Sequence, residues 1–313
     1  MTKFLYVLVS GNEDIYYEQT LLSAMTLRHC NPLAFISLLV DDVTDANLVG
    51  FRSEIKKLVN EYKVISFPEK ISPLMRSRLL KTNMRNHIEG DFLYLDGDTV
   101  VAESLEIPRD VGDIALVADL HAREKDRYRM KNERFKRSLL KLNFSMSLEN
   151  LYFNSGVIFA RDNAIARNFF NKWHELYLFC TEHSIYTDQF SLNESNHRLG
   201  FPIRELPGEW NCQVREAYNH LYRVKTIYPL LCRAKIIHFF GSGMAGKKEP
   251  HPLMTSTVFR KIKKEERIDA NILQLAYSAK SGFYGAPKEL NPKAKFPLFF
   301  LRGKFLNFDK NGF

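Results

Sequence analysis

Two carboxylates with one residue between them, Asp96-Gly97-Asp98, follow the apolar run Phe92-Leu-Tyr-Leu95. In extended backbone, positions i and i+2 point to the same side, so the spacing predicts both carboxylates on one face of a strand end. Like charges that close repel unless a cation lies beside them. A divalent metal that also bridges a diphosphate meets that need. Gly97 lets the chain turn or approach a ligand closely. On its own an Asp-x-Asp reads more readily as two turn aspartates capping a helix. Phe92, Leu93 and Leu95, which bury the strand and fix its end, favour the ligand reading.

Three further segments stand in a telling order. Tyr94-Leu-Asp-Gly-Asp-Thr-Val100 is followed by Tyr152-Phe-Asn-Ser-Gly-Val-Ile-Phe159, then Thr187-Asp-Gln-Phe-Ser-Leu-Asn193, then Ile237-His-Phe-Phe-Gly241. The first resembles the metal-binding strand of GT-A glycosyltransferases. The four together are similar to glycosyltransferase family 8, the retaining group that includes bacterial lipopolysaccharide galactosyl- and glucosyltransferases and glycogenin. The match runs over residues 4–248. It implies that Asn154 and Ser155 belong to a segment contacting the donor sugar, that Asp188 and Gln189 lie at the reacting centre, and that His238 is the third protein ligand of the metal. Asp96, Asp98 and His238 would then form a mixed oxygen and nitrogen set suited to Mn²⁺ or Mg²⁺.

The resemblance also implies a nucleotide side. Ser10-Gly-Asn-Glu-Asp-Ile-Tyr-Tyr17 occupies the place of the family's uridine-binding turn, with Ser10, Asn12 and Asp14 as polar candidates and Tyr16 or Tyr17 to stack on the base. Arg78, 18 residues before Asp96, resembles an arginine that reaches the donor. Asp119 resembles a carboxylate that binds sugar hydroxyls; a surface-turn aspartate is the plain alternative. Gly241 and Lys247 or Lys248 follow His238, and a lysine there would pair with the diphosphate as the leaving group gains charge.

The implied reaction moves a hexose, glucose or galactose, from a UDP-sugar to a hydroxyl of a glycan or lipid-linked glycan, with retention, in lipopolysaccharide or surface polysaccharide synthesis. Gln189 carries an amide, a poor nucleophile, so it is assigned to positioning. Asp188 orients the sugar or attacks it. The rival reading is a non-catalytic nucleotide-sugar or carbohydrate binding protein on the same fold. A nucleic-acid binder would need aromatic platforms or a groove-reading helix, and Tyr128 and Phe135 are too sparse for that.

The elements that must hold these residues alternate. Strand-like runs at residues 4–10, 35–40, 64–67 and 92–95 are separated by helical spacing over 16–28, 44–58 (Thr44 as N-cap) and 73–88. This predicts an α/β fold with a Rossmann-like, mainly parallel central sheet flanked by helices. Its strand ends at Ser10, Asp41-Asp42 and Asp96 should share one rim, where such sheets bind ligands. Further strands are expected at 114–118, 156–160 and 235–240, with a helix over 163–179. Residues 1–246 read as the transferase domain and 247–313 as an appendage with a charged helix near 260–267. No Gly-x-Gly-x-x-Gly follows the first strand and no Walker A motif occurs, which disfavours a nicotinamide enzyme or a P-loop NTPase.

Composition bounds the rest. The chain has 313 residues, 45% hydrophobic and 13% aromatic, enough for a real core. Its four cysteines form no Cys-x-x-Cys pair, so a zinc ribbon or disulfide scaffold is not suggested and a cytoplasmic location fits. No run reaches the roughly 18 apolar residues of a membrane span. The net charge of +9 is concentrated: residues 123–141 hold nine Lys/Arg against three acids, and 288–313 six against two. The last 18 residues, 296–313, hold six phenylalanines with Arg302, Lys304 and Lys310. That composition suits either peripheral contact with the anionic inner face of a membrane or packing onto the main domain.

Overall fold

Runs of β-branched and aromatic residues bounded by polar ends form strands that neighbouring chain must cover on both faces. In the computed structural model, residues 2–119, 133–146, 151–214, 227–239 and 251–281 are described. Strands β1 (Lys3–Leu8), β2 (Ile36–Asp41), β3 (Glu61–Ile65), β4 (Phe92–Leu95), β6 (Ile114–Ala118), β7 (Phe153–Ala160) and β8 (Ile203–Leu206) make one sheet in the order β3-β2-β1-β4-β7-β6-β8. All pairs are parallel except those of β7, which runs antiparallel to both β4 and β6. A smaller sheet joins β5 (Thr99–Val101), β10 (Ile236–His238) and β9 (Cys212–Gln213), with β10 in the middle. The architecture is the expected α/β one, a mainly parallel sheet flanked by helices.

The helices are α1 (Tyr16–Cys30), α2 (Asp42–Asn47), α3 (Glu54–Leu58), α4 (Pro73–Asn83), α5 (Glu133–Leu142), α6 (Ala164–Glu182), α7 (Asp188–Arg198), α8 (Tyr228–Cys232), α9 (Ser256–Glu265) and α10 (Ala270–Tyr277). The helix expected over 44–58 is broken. Asp41, not Thr44, is the N-cap, accepting from the Thr44 amide at 3.0 Å. Gly50 then takes a left-handed φ of +54° and a short 3₁₀ turn, Gly50–Ser53, precedes α3. Strand β3 starts at Glu61, three residues before the expected 64. The helix opened by Pro73 ends at Asn83 instead of 88, with Ser72 as its N-cap. Strand β7 begins at Phe153, not 156, so Asn154, Ser155 and Gly156 lie inside a strand buried along its whole length.

Helix α1 lies between the two sheets. Its face toward β5 is a row of hydroxyls at i+3 spacing, which share one helix face. Ser23 Oγ lies 3.0 Å from Thr99 Oγ1, and Thr26 Oγ1 accepts from the Val101 amide at 3.0 Å. Residues 251–281 pack on the far side of α1. Leu253, Phe259, Ile262 and Ile272 share one apolar cluster with Leu22, Val100 and Ile237. Burying each such side chain fully contributes about 1.5–3 kcal/mol, so this cluster fixes the small sheet that carries His238.

Candidate functional site

The carboxylates of Asp96 and Asp98 converge by a route other than the expected one. Strand β4 ends at Leu95, and Asp96–Thr99 is a tight turn in which the Thr99 amide donates to the Asp96 carbonyl at 3.2 Å. The turn leads straight into β5, which pairs antiparallel with β10 so that Thr99 sits opposite His238. Turn and cross-strand register, not an extended i/i+2 pair, bring the three side chains together. His238 Nε2 lies 3.1 Å from Asp98 Oδ1 and 3.9 Å from Asp96 Oδ2. One ligand atom from each of the three falls within 4.8 Å of the others.

Two glycines make the close approach possible. A Cβ on Gly97 would lie 2.3 Å from Thr20 Oγ1, and one on Gly156 would lie 2.1 Å from His238 Cε1. Gly97 therefore seats the turn on α1, and Gly156 leaves room for the imidazole. The ring's other nitrogen, Nδ1, is 3.0 Å from Asn211 Oδ1. A ligating histidine is oriented by such a bond on its second nitrogen.

Beside Asp96, Asp98 and His238 stands a buried charge network. Lys81, 2% exposed, places Nζ 2.8 Å from Asp96 Oδ1, 3.2 Å from Ser155 Oγ and 3.5 Å from Asp188 Oδ2. The Tyr94 hydroxyl also donates to Asp96 Oδ1. Burial, and then the Asp96 charge, push the Tyr94 phenol well above its ordinary range, so it stays a donor. Asp188 receives the Ser155 hydroxyl at 2.8 Å and faces Arg78 Nη1 at 3.6 Å. Burial would raise its carboxyl, but the Arg78 and Lys81 cations and the Ser155 hydroxyl outweigh that and hold it well below the usual carboxylate range. Asp188 in turn raises the Arg78 guanidinium. The arrangement can hold a cation at one end and orient polar groups at the other.

Arg78, Asp188 and Ser155 are thus joined to Asp96 through Lys81. Gln189 and Asn193 of α7 both donate to the Phe153 carbonyl, at 3.4 and 3.1 Å, which ties the 187–193 segment to β7. Asn154 and Asp119 are buried, at 5% and 3% exposure, and the Asp119 amide donates to the Tyr152 carbonyl at 2.7 Å.

The N-terminal turn corrects two expectations. Asp14 is consumed by the turn itself, accepting from Ser10 Oγ at 2.6 Å, the Gly11 amide at 2.7 Å and the Tyr16 amide at 3.0 Å. Its carboxylate shapes the entry to α1 instead of facing a base. Tyr17 is fully buried, its hydroxyl donating to the Phe51 carbonyl at 2.8 Å and Arg52 packed over its ring. No face of that ring is open for stacking, whereas Tyr16 is 56% exposed and Asn12 is exposed. Gly241, Lys247, Lys248, residues 123–132 of the basic stretch and the 296–313 tail lie outside the described residues.

Sequence reasoning missed Lys81 and Asn211. Lys81 had a signal, since it sits three residues after Arg78 on one helix face. Asn211 had none, because its role depends on β9 and β10 pairing.

No protein-family model matches the chain, and no curated protein sequence matches it. Among solved structures the chain is similar to the galactosyltransferase LgtC in complex with donor and acceptor sugar analogues. The TM-score is 0.52 at 17% identity, over 86% of this chain and 98% of that one. An active-site mutant of LgtC matches with the same figures. The glycosyltransferase GlyE of Streptococcus pneumoniae TIGR4 gives a TM-score of 0.49 at 18% identity, over 91% of this chain and 66% of that one. The likeness to LgtC is one of fold, the GT-A type.

Proposed function

We propose that this chain is a metal-dependent, retaining glycosyltransferase of the family 8 kind. It moves glucose or galactose from a UDP-sugar to a hydroxyl of a glycan or lipid-linked glycan, in lipopolysaccharide or surface polysaccharide synthesis. The observation that carries the reading is the convergence of Asp96, Asp98 and His238 within 4.8 Å at the carboxyl end of β4. Two carboxylate oxygens and one imidazole nitrogen fit Mn²⁺ or Mg²⁺. A cation held there supplies positive charge to a departing diphosphate.

This chain's own residues do the remaining work. Asp188, ionised, with Oδ2 accepting from Ser155 and Oδ1 paired with Arg78, orients sugar hydroxyls together with Asn154, Ser155 and Asp119. Arg78, its side chain 31% exposed and paired with Asp188, is assigned to the UDP-sugar. Gln189 positions the sugar. Asn12 and Ser10 line the nucleotide turn, where Tyr16 takes the stacking role. Gly241 and Lys247 or Lys248 are assigned to the diphosphate. As the bond from the anomeric carbon to the diphosphate oxygen breaks, the acceptor oxygen bonds that carbon from the same face, and its proton passes to the leaving oxygen. Among the described residues no helix is long and apolar enough to cross a membrane. We place the protein in the cytoplasm, peripheral at the inner membrane face through residues 296–313.

The test is a thermal-shift screen of nucleotide-sugars with and without Mn²⁺, since a bound donor stabilises by mass action, followed by UDP release. One UDP-hexose should raise the midpoint only with metal, and Asp96→Asn should release no UDP. Full turnover in Asp96→Asn, or in excess chelator, sinks the metal-dependent reading.

A further inference from the structure

A neutral imidazole has one N–H and one lone pair, and a hydrogen bond at one nitrogen decides which is which. For His238 that decision can be traced to a group with no freedom. The Gly156 backbone amide can only donate, and it lies 2.8 Å from the Asn154 side-chain oxygen, Oδ1. The same oxygen lies 2.9 Å from Asn211, which must therefore present its Nδ2 amide there. Asn211 is thereby left with its Oδ1 facing His238 Nδ1 at 3.0 Å. A carboxamide oxygen accepts only, so Nδ1 carries the proton. All three side chains are buried, Asn154 at 5%, Asn211 at 0% and His238 at 2% exposure, where a mispaired amide would cost about 1–3 kcal/mol.

We propose that Asn211 is a positioning residue. Through this relay, anchored on the Gly156 amide, it fixes a proton on His238 Nδ1 and turns Nε2 toward Asp98 and Asp96. A bare Nε2, and the metal it would bind, rest on the function proposed above; the Nδ1 proton does not. Asn211 touches the ring on the side away from the carboxylates, so it acts on the metal only through His238. Gly156 serves twice, as the donor that starts the relay and as the residue whose missing Cβ admits the ring.

The experiment uses the whole chain labelled with ¹⁵N-histidine, kept metal-free at pH 8. Ring ¹⁵N–¹H correlation reports the tautomer, and the His238 signals among nine histidines are identified by their loss in His238→Gln. Wild type should show a protonated-type Nδ1; Nε2, 3.1 Å from Asp98 Oδ1, should become lone-pair-type only when Mg²⁺ is added to saturation. Asn211→Leu should shift the ring toward Nε2–H and weaken Mn²⁺ binding, read by the free-Mn²⁺ resonance signal, about 10–100-fold. Asn211→Asp keeps an acceptor at Nδ1 but sets an oxygen against Asn154 Oδ1, so it should keep the Nδ1 proton while losing stability. If Asn211→Leu does not fold, Asn154→Ala breaks the relay one step back and should loosen the same tautomer. A lone-pair-type Nδ1 in wild type overturns the proposal. So does an Nδ1–H ring with wild-type Mn²⁺ affinity in Asn211→Leu. A wild-type protein with Nδ1–H and no Mn²⁺ binding supports the relay and sinks the metal reading instead.

Discussion

Lys81 Nζ lies 2.8 Å from Asp96 Oδ1 and 3.1 Å from Asp96 Oδ2, so a buried ammonium holds the Asp96 carboxylate. The same ammonium is 3.5 Å from Asp188 Oδ2. One cation therefore spans the proposed metal end and the proposed sugar end of the site. Tyr94 engages Asp96 Oδ1, while Oδ2, shared with Lys81, is the oxygen nearer His238 Nε2, at 3.9 Å. A positively charged group that is almost wholly buried persists only when paired, and here its partners are the site's own carboxylates.

Replacing Lys81 by methionine keeps the apolar stem and removes the charge. The two carboxylates then lose their shared counter-ion, and breaking a buried pair costs about 3–5 kcal/mol. The urea midpoint of metal-free Lys81→Met should fall accordingly. Saturating Mn²⁺ should recover part of the loss, giving a larger metal-induced increment than in wild type. Equal increments in the two proteins would show that Lys81 and the metal do not share Asp96.

Gly97→Ala tests how the carboxylate turn is seated. The new methyl would lie 2.3 Å from Thr20 Oγ1 and 3.3 Å from Thr20 Cβ. Thr20 is held by its own bond to the Tyr16 carbonyl at 2.8 Å, so the turn must move. Such overpacking costs about 1–3 kcal/mol. Thr20→Ala removes the nearest atom, and the double mutant should recover a measurable share of the stability and Mn²⁺ affinity lost in Gly97→Ala. Strictly additive losses would mean that the two residues do not contact.

These contacts also show what local sequence carries and what it does not. Strands β4 and β6 fall on the residues expected from their apolar runs, because burial on both faces leaves an unbroken signature in the chain. The break after Asn47 was hidden, since the helical spacing in 44–58 continues across Gly50, whose φ of +54° a helix does not keep. Tyr16 and Tyr17 are indistinguishable by type; only the phase of α1 puts one in solvent and the other against Phe51. The place of β7 between β4 and β6, antiparallel to both, is a matter of strand order that no local pattern encodes. His238 could be named from its motif. Its orientation required Asn211, 27 residues away in sequence and one strand away in space.

Stability should fall on mild acidification because of a buried histidine that packs beside the strand carrying His238. His251 is fully buried, its Nδ1 accepting from the Leu253 amide at 3.0 Å and its ring packed on Phe239. Burial pushes it down to about 3, against about 6.5 in the unfolded chain. Between those values the unfolded state binds a proton that the folded state refuses, so stability rises with pH across this window and is lost as pH falls. The slope is up to about 1.4 kcal/mol per pH unit, or about 2 kcal/mol between pH 6.5 and 5. His87 and His174 are shifted the same way, by burial first, and add to it. Asp188 does not contribute here. Its depressed carboxyl is ionised in both states above pH 5, and its stabilising effect is lost only below the unfolded carboxylate range. His251→Asn keeps a short acceptor for the Leu253 amide but cannot titrate. Urea midpoints at pH 5, 6 and 7 should show a steep fall for wild type and a shallower one for the variant. Parallel curves would place the acid sensitivity elsewhere.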